Sequence, residues 1–365
     1  MAEALALSGC EVHVVAYHLG SITTEEEQKL PFKIHRIRNV PTYKKFSAGP
    51  TLQKLMVVDS LLFWKLKKIV SGLRVDIVHA HHYEGLIASL LLPKYNRVPI
   101  IYDAHTLLES ELHFYWSELA EPLARRLGQF LDGRLPIRAD HVITVTPDIR
   151  DKLIARAGIQ PERISVIMSG VEIEHFGRPT CGVGHDQSIK KIVYAGGLSS
   201  FQGINHFLQI FVRIGKLRRN VKLQIITNDC FQPYLTLARQ LGIESQIEIT
   251  PSSYEKLPEY LKAADVVLNP RVECDGIPQK LLNYMAAGRP VVSFEGSAKI
   301  IEHYKTGYIV ENENYEAFAK AVLYLLDNCE IAEAMGSRAK EFIRRNFSWK
   351  SKARDIMDVY ERLLG

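Results

Sequence analysis

The sequence predicts an α/β protein of two doubly wound domains facing one cleft, and three observations carry that expectation. Short apolar runs rich in β-branched residues alternate with amphipathic segments in two series, one from Val12 to Met168 and one from Lys191 onward. Between them, Gly177 to Ser188 has the glycine, proline and polar composition of a linker. At 365 residues the chain is long enough to bury two cores.

The first series opens with a helix, Met1 to Ser8, stopped by Gly9 and followed by the strand Val12 to Tyr17. In a doubly wound domain the first strand ordinarily precedes the first helix and sits centrally in the sheet. The expectation is therefore a first domain lacking that strand, with the native product carrying it before Met1. A strand at Phe32 to Ile37 and a helix at Thr51 to Ser71 follow. Within that helix Leu61-Leu-Phe-Trp64 meets Lys65, Lys67 and Lys68. The mixture suits a core helix with a solvated basic end, or a segment lying on an anionic bilayer.

Next, Val75 to His79 reads as a strand running into His81 and His82, then a helix at Leu86 to Leu92 and a strand at Pro99 to Asp103. His105 stands just past the carboxyl end of that strand, where open α/β sheets bind ligands. Three histidines near position 80 invite a zinc reading. A His-x-His-His run on a strand end directs neighbours apart, however, and no acidic residue stands at ligand spacing, so no metal is expected. Ala139 to Thr146 is a strand, Pro147 to Ala157 a helix, and Ile164 to Met168 a strand.

The second series begins with the strand Lys191 to Ala195, then Gly196-Gly197 and a helix from Ile204 to Gly215. Strands at Val221 to Thr227 and Ile247 to Thr250 flank a helix at Gln232 to Leu241. A helix at Tyr254 to Ala263 leads to the strand Ala264 to Asn269 and a loop, Pro270 to Ile277. Pro278 then suits a first helical position. Leu281, Leu282, Met285 and Ala286 form an apolar stripe, while Lys280, Asn283 and Ala287 share another face. Gly288 ends this helix and Pro290 bars its continuation before the strand Val291 to Phe294. A loop thus delivers a helix start between Asp275 and Lys280, a place for an anion such as phosphate. After it come helices at Ala298 to His303, Tyr315 to Asn328 and Glu330 to Asn346, a strand at Gly307 to Val310, and a last helix, Trp349 to Leu364.

Composition narrows the function classes. With 47% hydrophobic and 24% charged residues the chain is not a disordered one. A net charge of +5 allows an anionic substrate or an acidic membrane surface without the footprint of a nucleic-acid protein. Five scattered cysteines form no C-x-x-C pair, which fits a reduced, cytoplasmic setting better than a disulfide scaffold or zinc site. No apolar run approaches the roughly 18 residues of a membrane span. No G-x-G-x-x-G follows a strand, so a nicotinamide-dependent enzyme is discounted.

Several blocks together resemble family four of the retaining glycosyltransferases. The resemblance rests on Asp275-Gly276 through Met285-Ala-Ala-Gly288-Arg-Pro-Val-Val, on Ala139-Asp-His-Val-Ile-Thr-Val and Arg163-Ile-Ser-Val-Ile-Met-Ser-Gly-Val171, and on Val75-Asp-Ile-Val-His-Ala-His81 and Tyr102-Asp-Ala-His105. It implies the GT-B fold: a Rossmann-like acceptor-side domain over 1–178, a nucleotide-sugar domain over 179–347, and a helix at 348–365 crossing back to the first. It also implies transfer of a sugar, with retention, from a nucleotide-diphosphate sugar to a glycan or lipid-linked acceptor of the cell envelope. No metal or other cofactor is implied. The protein would be cytoplasmic, with peripheral contact at the inner face of the membrane.

Carried over residue by residue, His105 would contact the donor sugar or its nascent charge, and Asp275 the sugar hydroxyls. Asn283 falls where the family has an acid for the nucleotide ribose. The donor site would be completed by Gly196, Gly197, Gln202, Arg271, Gly276, Ile277, Pro278 and Lys280. Two departures stand out: Gly197 and Gln202 replace the family's diphosphate-gripping Arg and Lys. Lys280 and Arg271 are expected to supply the charge instead. Those departures, with Asn283 and the missing first strand, also support an alternative, a catalytically inactive binding or assembly subunit of the same fold.

Overall fold

The computed structural model describes residues 1–20, 23–43, 51, 53–93, 98–112, 114, 120–177 and 188–365. Two compact units divide the chain: Met1–Met168 with Trp349–Gly365, and Ser169–Ser348. The linker expected at Gly177 to Ser188, and with it a boundary at 178, lies almost wholly outside the described residues. The chain instead changes units at Met168, because Val171 donates its N–H to Phe347 O at 2.8 Å and bridges to Ser348, which ties that stretch into the second unit.

In the first unit β1 (His13–Ala16) and β2 (Lys33–Arg36) form a parallel pair. A separate parallel sheet runs β3 (Val78–His81), β4 (Ile100–Ala104), β5 (His141–Thr144) and β6 (Ile164–Val166). One face of that sheet presents Ala80, Tyr102, Ala104 and Val142 to the helix Pro147–Ala157. The other presents Ile101, Ile143 and Ile167, covered by Leu5 of the first helix and by Ala353, Ile356 and Val359 of the helix Trp349–Leu364. Alternation along each strand, period two, is what sends these residues to opposite faces.

The second unit is a six-stranded parallel sheet built from β7 (Lys190–Ala195), β8 (Val221–Ile226), β9 (Ile247–Thr250), β10 (Val266–Asn269), β11 (Val291–Phe294) and β12 (Tyr308–Val310). Its spatial order is β12-β11-β10-β7-β8-β9. The first strand of the series is therefore central, and the winding reverses between β7 and β10. Phe207, Phe211 and Ile214 from the helix Ile204–Leu217 and Phe318, Val322 and Leu325 from Tyr315–Asp327 fill one core against this sheet. Their spacing of three and four residues is the apolar stripe of a helix packed on a sheet.

Three local expectations are corrected. The helix placed at Ala298 to His303 is absent: a single 3-10 turn, Glu295–Ser297, is followed by irregular chain. The reason is that Ser297 Oγ accepts from Asn269 and donates to Arg271 O, which holds the chain down at the site instead of releasing it into a helix. Pro278 is not the first helical residue; its ψ of 118° is extended, and the helix runs Gln279–Ala286. Helices at Leu108–Leu112 and Glu121–Asp132 stand where the sequence was given no element.

Candidate functional site

The winding reversal between β7 and β10 leaves a crevice at their carboxyl ends, the place where ligands of doubly wound sheets bind. Pairing between the two strands is registered at Val193–Val267, whereas both strands continue beyond that point. Ala195 accordingly finds a side chain where a neighbouring strand would be. Its N–H donates to the Tyr284 hydroxyl at 2.7 Å, and that hydroxyl lies 3.1 Å from Ala195 O. Tyr284 is fully buried on Gln279–Ala286, so one residue pins this helix to the end of β7.

Beyond Ala195 the chain turns through Gly196 and Gly197. Gly196 has φ of 152°, and a side chain there would press on Lys280 at 3.3 Å. Tyr194 donates its hydroxyl to Gly197 O at 2.6 Å, and Asp229 accepts from Leu198 N–H at 2.7 Å. Gly203, with φ of 76°, allows the loop to touch the end of β10. A Cβ there would stand 2.2 Å from Pro270 O, a distance only glycine escapes.

Lys280 is the centre of the charge. Its Nζ donates to Gln202 Oε1 at 2.6 Å and to the Tyr194 hydroxyl at 2.8 Å, and lies 4.2 Å from the Tyr194 ring centre. Burial, and then the neighbouring Arg271 cation, pull the ammonium down to about 7. Neither neighbour of Nζ carries a charge, so a cation is held here by neutral acceptors alone. Arg271 itself lies over the Phe201 ring at 5.0 Å and donates to Glu273 O at 2.6 Å. The loop between them is clamped: Cys274 N–H donates to Gly296 O at 3.2 Å, and a Cβ on Gly296 would meet Val272 O at 1.8 Å.

Of the residues the sequence nominated, Gly196, Gln202 and Lys280 thus meet directly, with Gly197 held beside them by Tyr194. Arg271 stands close enough to shift Lys280. Asp275 and Gly276 are buried, as is Pro278, the residue immediately before the helix. Asp275 is not that helix's cap; the capping position is Pro278, which makes no side-chain hydrogen bond. Ile277 and Asn283 are half-buried in the same loop and helix. Sequence reading missed Tyr194, Tyr284 and Asp229. The first two are tyrosines in otherwise apolar runs, and that exception was the available signal.

His105 belongs to the first unit, at the end of β4. There Asp103, buried on β4, stands 3.5 Å from His105 Nε2 and 3.4 Å from both His79 Nε2 and His81 Nδ1. The expectation that the histidine run points its members apart does not hold for this pair. His79 and His81 are two residues apart on a strand and share a face, and the acidic partner comes from the paired strand, with His81 registered on Asp103. His82 alone diverges; with φ of 56° it stacks on the His105 ring at 4.7 Å. Burial depresses His81 to about 3. Burial opposes charge on His105 as well, but the Asp103 carboxylate outweighs it, and its affinity for a proton is raised.

Comparison with known proteins places this architecture. The family model described as glycosyl transferases group 1 matches residues 189–328, and that of glycosyltransferase family 4 matches 1–175. The chain belongs to this glycosyltransferase family. A glycosyltransferase of Methanocaldococcus jannaschii is 23% identical over 358 residues, 89% of this chain and 88% of the relative. A D-inositol 3-phosphate glycosyltransferase of Corynebacterium kroppenstedtii is 26% identical over 306 residues, 78% of this chain and 67% of the relative. Among solved structures, sucrose-phosphate synthase from Thermosynechococcus elongatus superposes with a TM-score of 0.82 at 17% identity, covering 99% of this chain and 91% of that one. HepE from Anabaena, solved with UDP and glucose, gives 0.72 at 16% identity, covering 96% and 91%. The fold is GT-B, with two Rossmann-like domains, and the protein is a transferase.

Proposed function

We propose that this glycosyltransferase acts with retention, moving a sugar from a nucleotide-diphosphate donor to a glycan or lipid-linked acceptor of the cell envelope. The observation that carries the donor class is Lys280, a cation held by two neutral groups at the β7–β10 crevice. An anion arriving there meets a charge that no carboxylate has already neutralised. The backbone amides at Ile277 and Gln279 add the positive end of a helix, so the diphosphate leaving group is stabilised without a requirement for metal. Asn283 hydrogen-bonds the ribose, Asp275 the sugar hydroxyls, and His105 serves the sugar end of the reaction. The HepE structure contains UDP and glucose, which favours a uridine donor for this chain as well.

Thermal-shift screening of nucleotide-diphosphate sugars, followed by transfer assays with the donor that binds, tests the reading. Asp275→Asn and Asp275→Ser are expected to fold like the parent and to lose transfer by about ten-fold or more, the worth of roughly one charged hydrogen bond. Undiminished transfer in either folded variant removes Asp275 from the site. Tight binding with neither hydrolysis nor transfer of any donor would establish the alternative, an inactive binding subunit. The replacement of the family's diphosphate cations by Gly197 and Gln202 is what keeps that alternative in play.

The same reading includes peripheral contact with an anionic membrane. Trp64 is exposed in the first unit with Lys67 against its ring and Lys65 and Lys68 on the same helix, and Leu55 and Met56 are exposed earlier in the chain. Among the described residues no helix is long and apolar enough to cross a membrane.

A further inference from the structure

At the ends of β3 and β4, hydrogen bonding explains the contact between His81 and His105 but not the spacing of Asp103 from three imidazoles. Charge-assisted N–H···O contacts settle at about 2.7–2.9 Å. Here one carboxylate oxygen, Asp103 Oδ2, stands 3.4, 3.4 and 3.5 Å from the ring nitrogens of His79, His81 and His105. His81 Nδ1 and His105 Nε2 share a hydrogen bond at 3.0 Å, which a metal would replace by taking the place of its proton. Four donor atoms placed about 2.0–2.1 Å from a common tetrahedral centre are separated by about 3.3 Å. Most of the measured spacings are edges of that figure.

Two further features point to an occupant. His79 Nε2 and Asp103 Oδ1 are buried and make no hydrogen bond, although buried polar atoms ordinarily find partners. The other nitrogen of His79 is committed: Nδ1 lies 2.7 Å from the hydroxyl of Tyr360, on the helix Trp349–Leu364. A hydrogen bond on one ring nitrogen that leaves the second facing a shared point is how proteins orient a metal-bound histidine. His79, His81 and Asp103 present ligand atoms that all lie within 4.8 Å of one another.

We infer that His79, His81, Asp103 and His105 form a binding site for a divalent transition metal of the zinc class. Three imidazoles and one carboxylate suit zinc or cobalt and exclude calcium and magnesium, which want oxygen ligands. The ion ties β3 to β4 and, through Tyr360, to the last helix. A closed shell also withdraws His105 from substrate, so a loaded site inhibits transfer. That last consequence alone rests on the function proposed above.

The test is titration of chelator-treated full-length protein with Co2+, read by the intense visible absorption of a tetrahedral ion and by competition with Zn2+. Expected are about one equivalent of tetrahedral cobalt displaced by zinc, and a rise in Tm on adding zinc. His79→Ala and His81→Gln should abolish the tetrahedral spectrum. Tyr360→Phe, which keeps the ligands, should weaken cobalt binding by about ten-fold or more. The pale spectrum of octahedral cobalt in the parent, or an unchanged tetrahedral spectrum in folded His79→Ala, would overturn the site. Because the readout is spectroscopic, it stands or falls apart from sugar transfer.

Discussion

At the scale of the residue, Lys280 governs how this protein should respond to pH. In the free protein burial and Arg271 bring its ammonium to about 7, so at neutral pH a substantial fraction is uncharged. A diphosphate favours the charged form, and binding must therefore take up a proton wherever Lys280 is neutral. The sign follows: affinity for a nucleoside diphosphate is highest below pH 7 and falls as pH rises, approaching ten-fold per unit above it. Calorimetric titration from pH 6 to 9 in buffers of different ionisation enthalpy measures both the slope and the proton. Lys280→Ala supplies the baseline, since its residual slope is the ligand's own. The variant should also bind diphosphate more weakly while binding the bare nucleoside as before. Equal losses for the two ligands would take Lys280 away from the phosphates.

At the scale of the element, the end of β7 depends on a side chain doing the work of a strand. Tyr284→Phe removes the hydroxyl that accepts the Ala195 N–H and leaves a buried amide unpaired. The expected cost is about 1–3 kcal/mol of stability by urea denaturation, together with a higher KM for the donor. A variant as stable as the parent would show that β7 does not lean on this helix. The same scale shows what sequence could and could not tell. The helices Pro147–Ala157 and Trp349–Leu364 were legible to the residue. The first has a Thr146 side-chain cap and ends at Gly158 with φ of 64°, and such local signals are written in neighbouring letters. The loop from Asp275 and the helix it leads into were legible for the same reason, since their residues are contiguous. What was not legible came from non-local contacts: Ser297 reaching Asn269 and Arg271, Tyr284 reaching Ala195, and Asp103 meeting histidines of another strand. No spacing along the chain encodes a partner that only sheet pairing supplies.

At the scale of the whole molecule, the charge of +5 matters where it meets apolar surface. Trp64 is exposed with Lys67 Nζ 4.9 Å from its ring, and Leu55 and Met56 are exposed more than two turns before it. Sedimentation with vesicles should show binding to anionic lipid, loss of binding with raised salt, and weakening by Trp64→Ala. Binding to neutral vesicles alone, or none to either, would return this surface to an ordinary solvated helix. The discontinuity of the first unit bears on how the protein is made. Ile101, Ile143 and Ile167 are covered by Ala353, Ile356 and Val359, yet the ribosome delivers the whole second unit before that cover. At about 5–20 residues per second, roughly ten to forty seconds separate this face, covered until then only from the side of Leu5, from the rest of its lid. During that interval the nascent chain carries an unfinished sheet tethered to a second unit that is free to fold, a natural client for a chaperone that binds apolar surface.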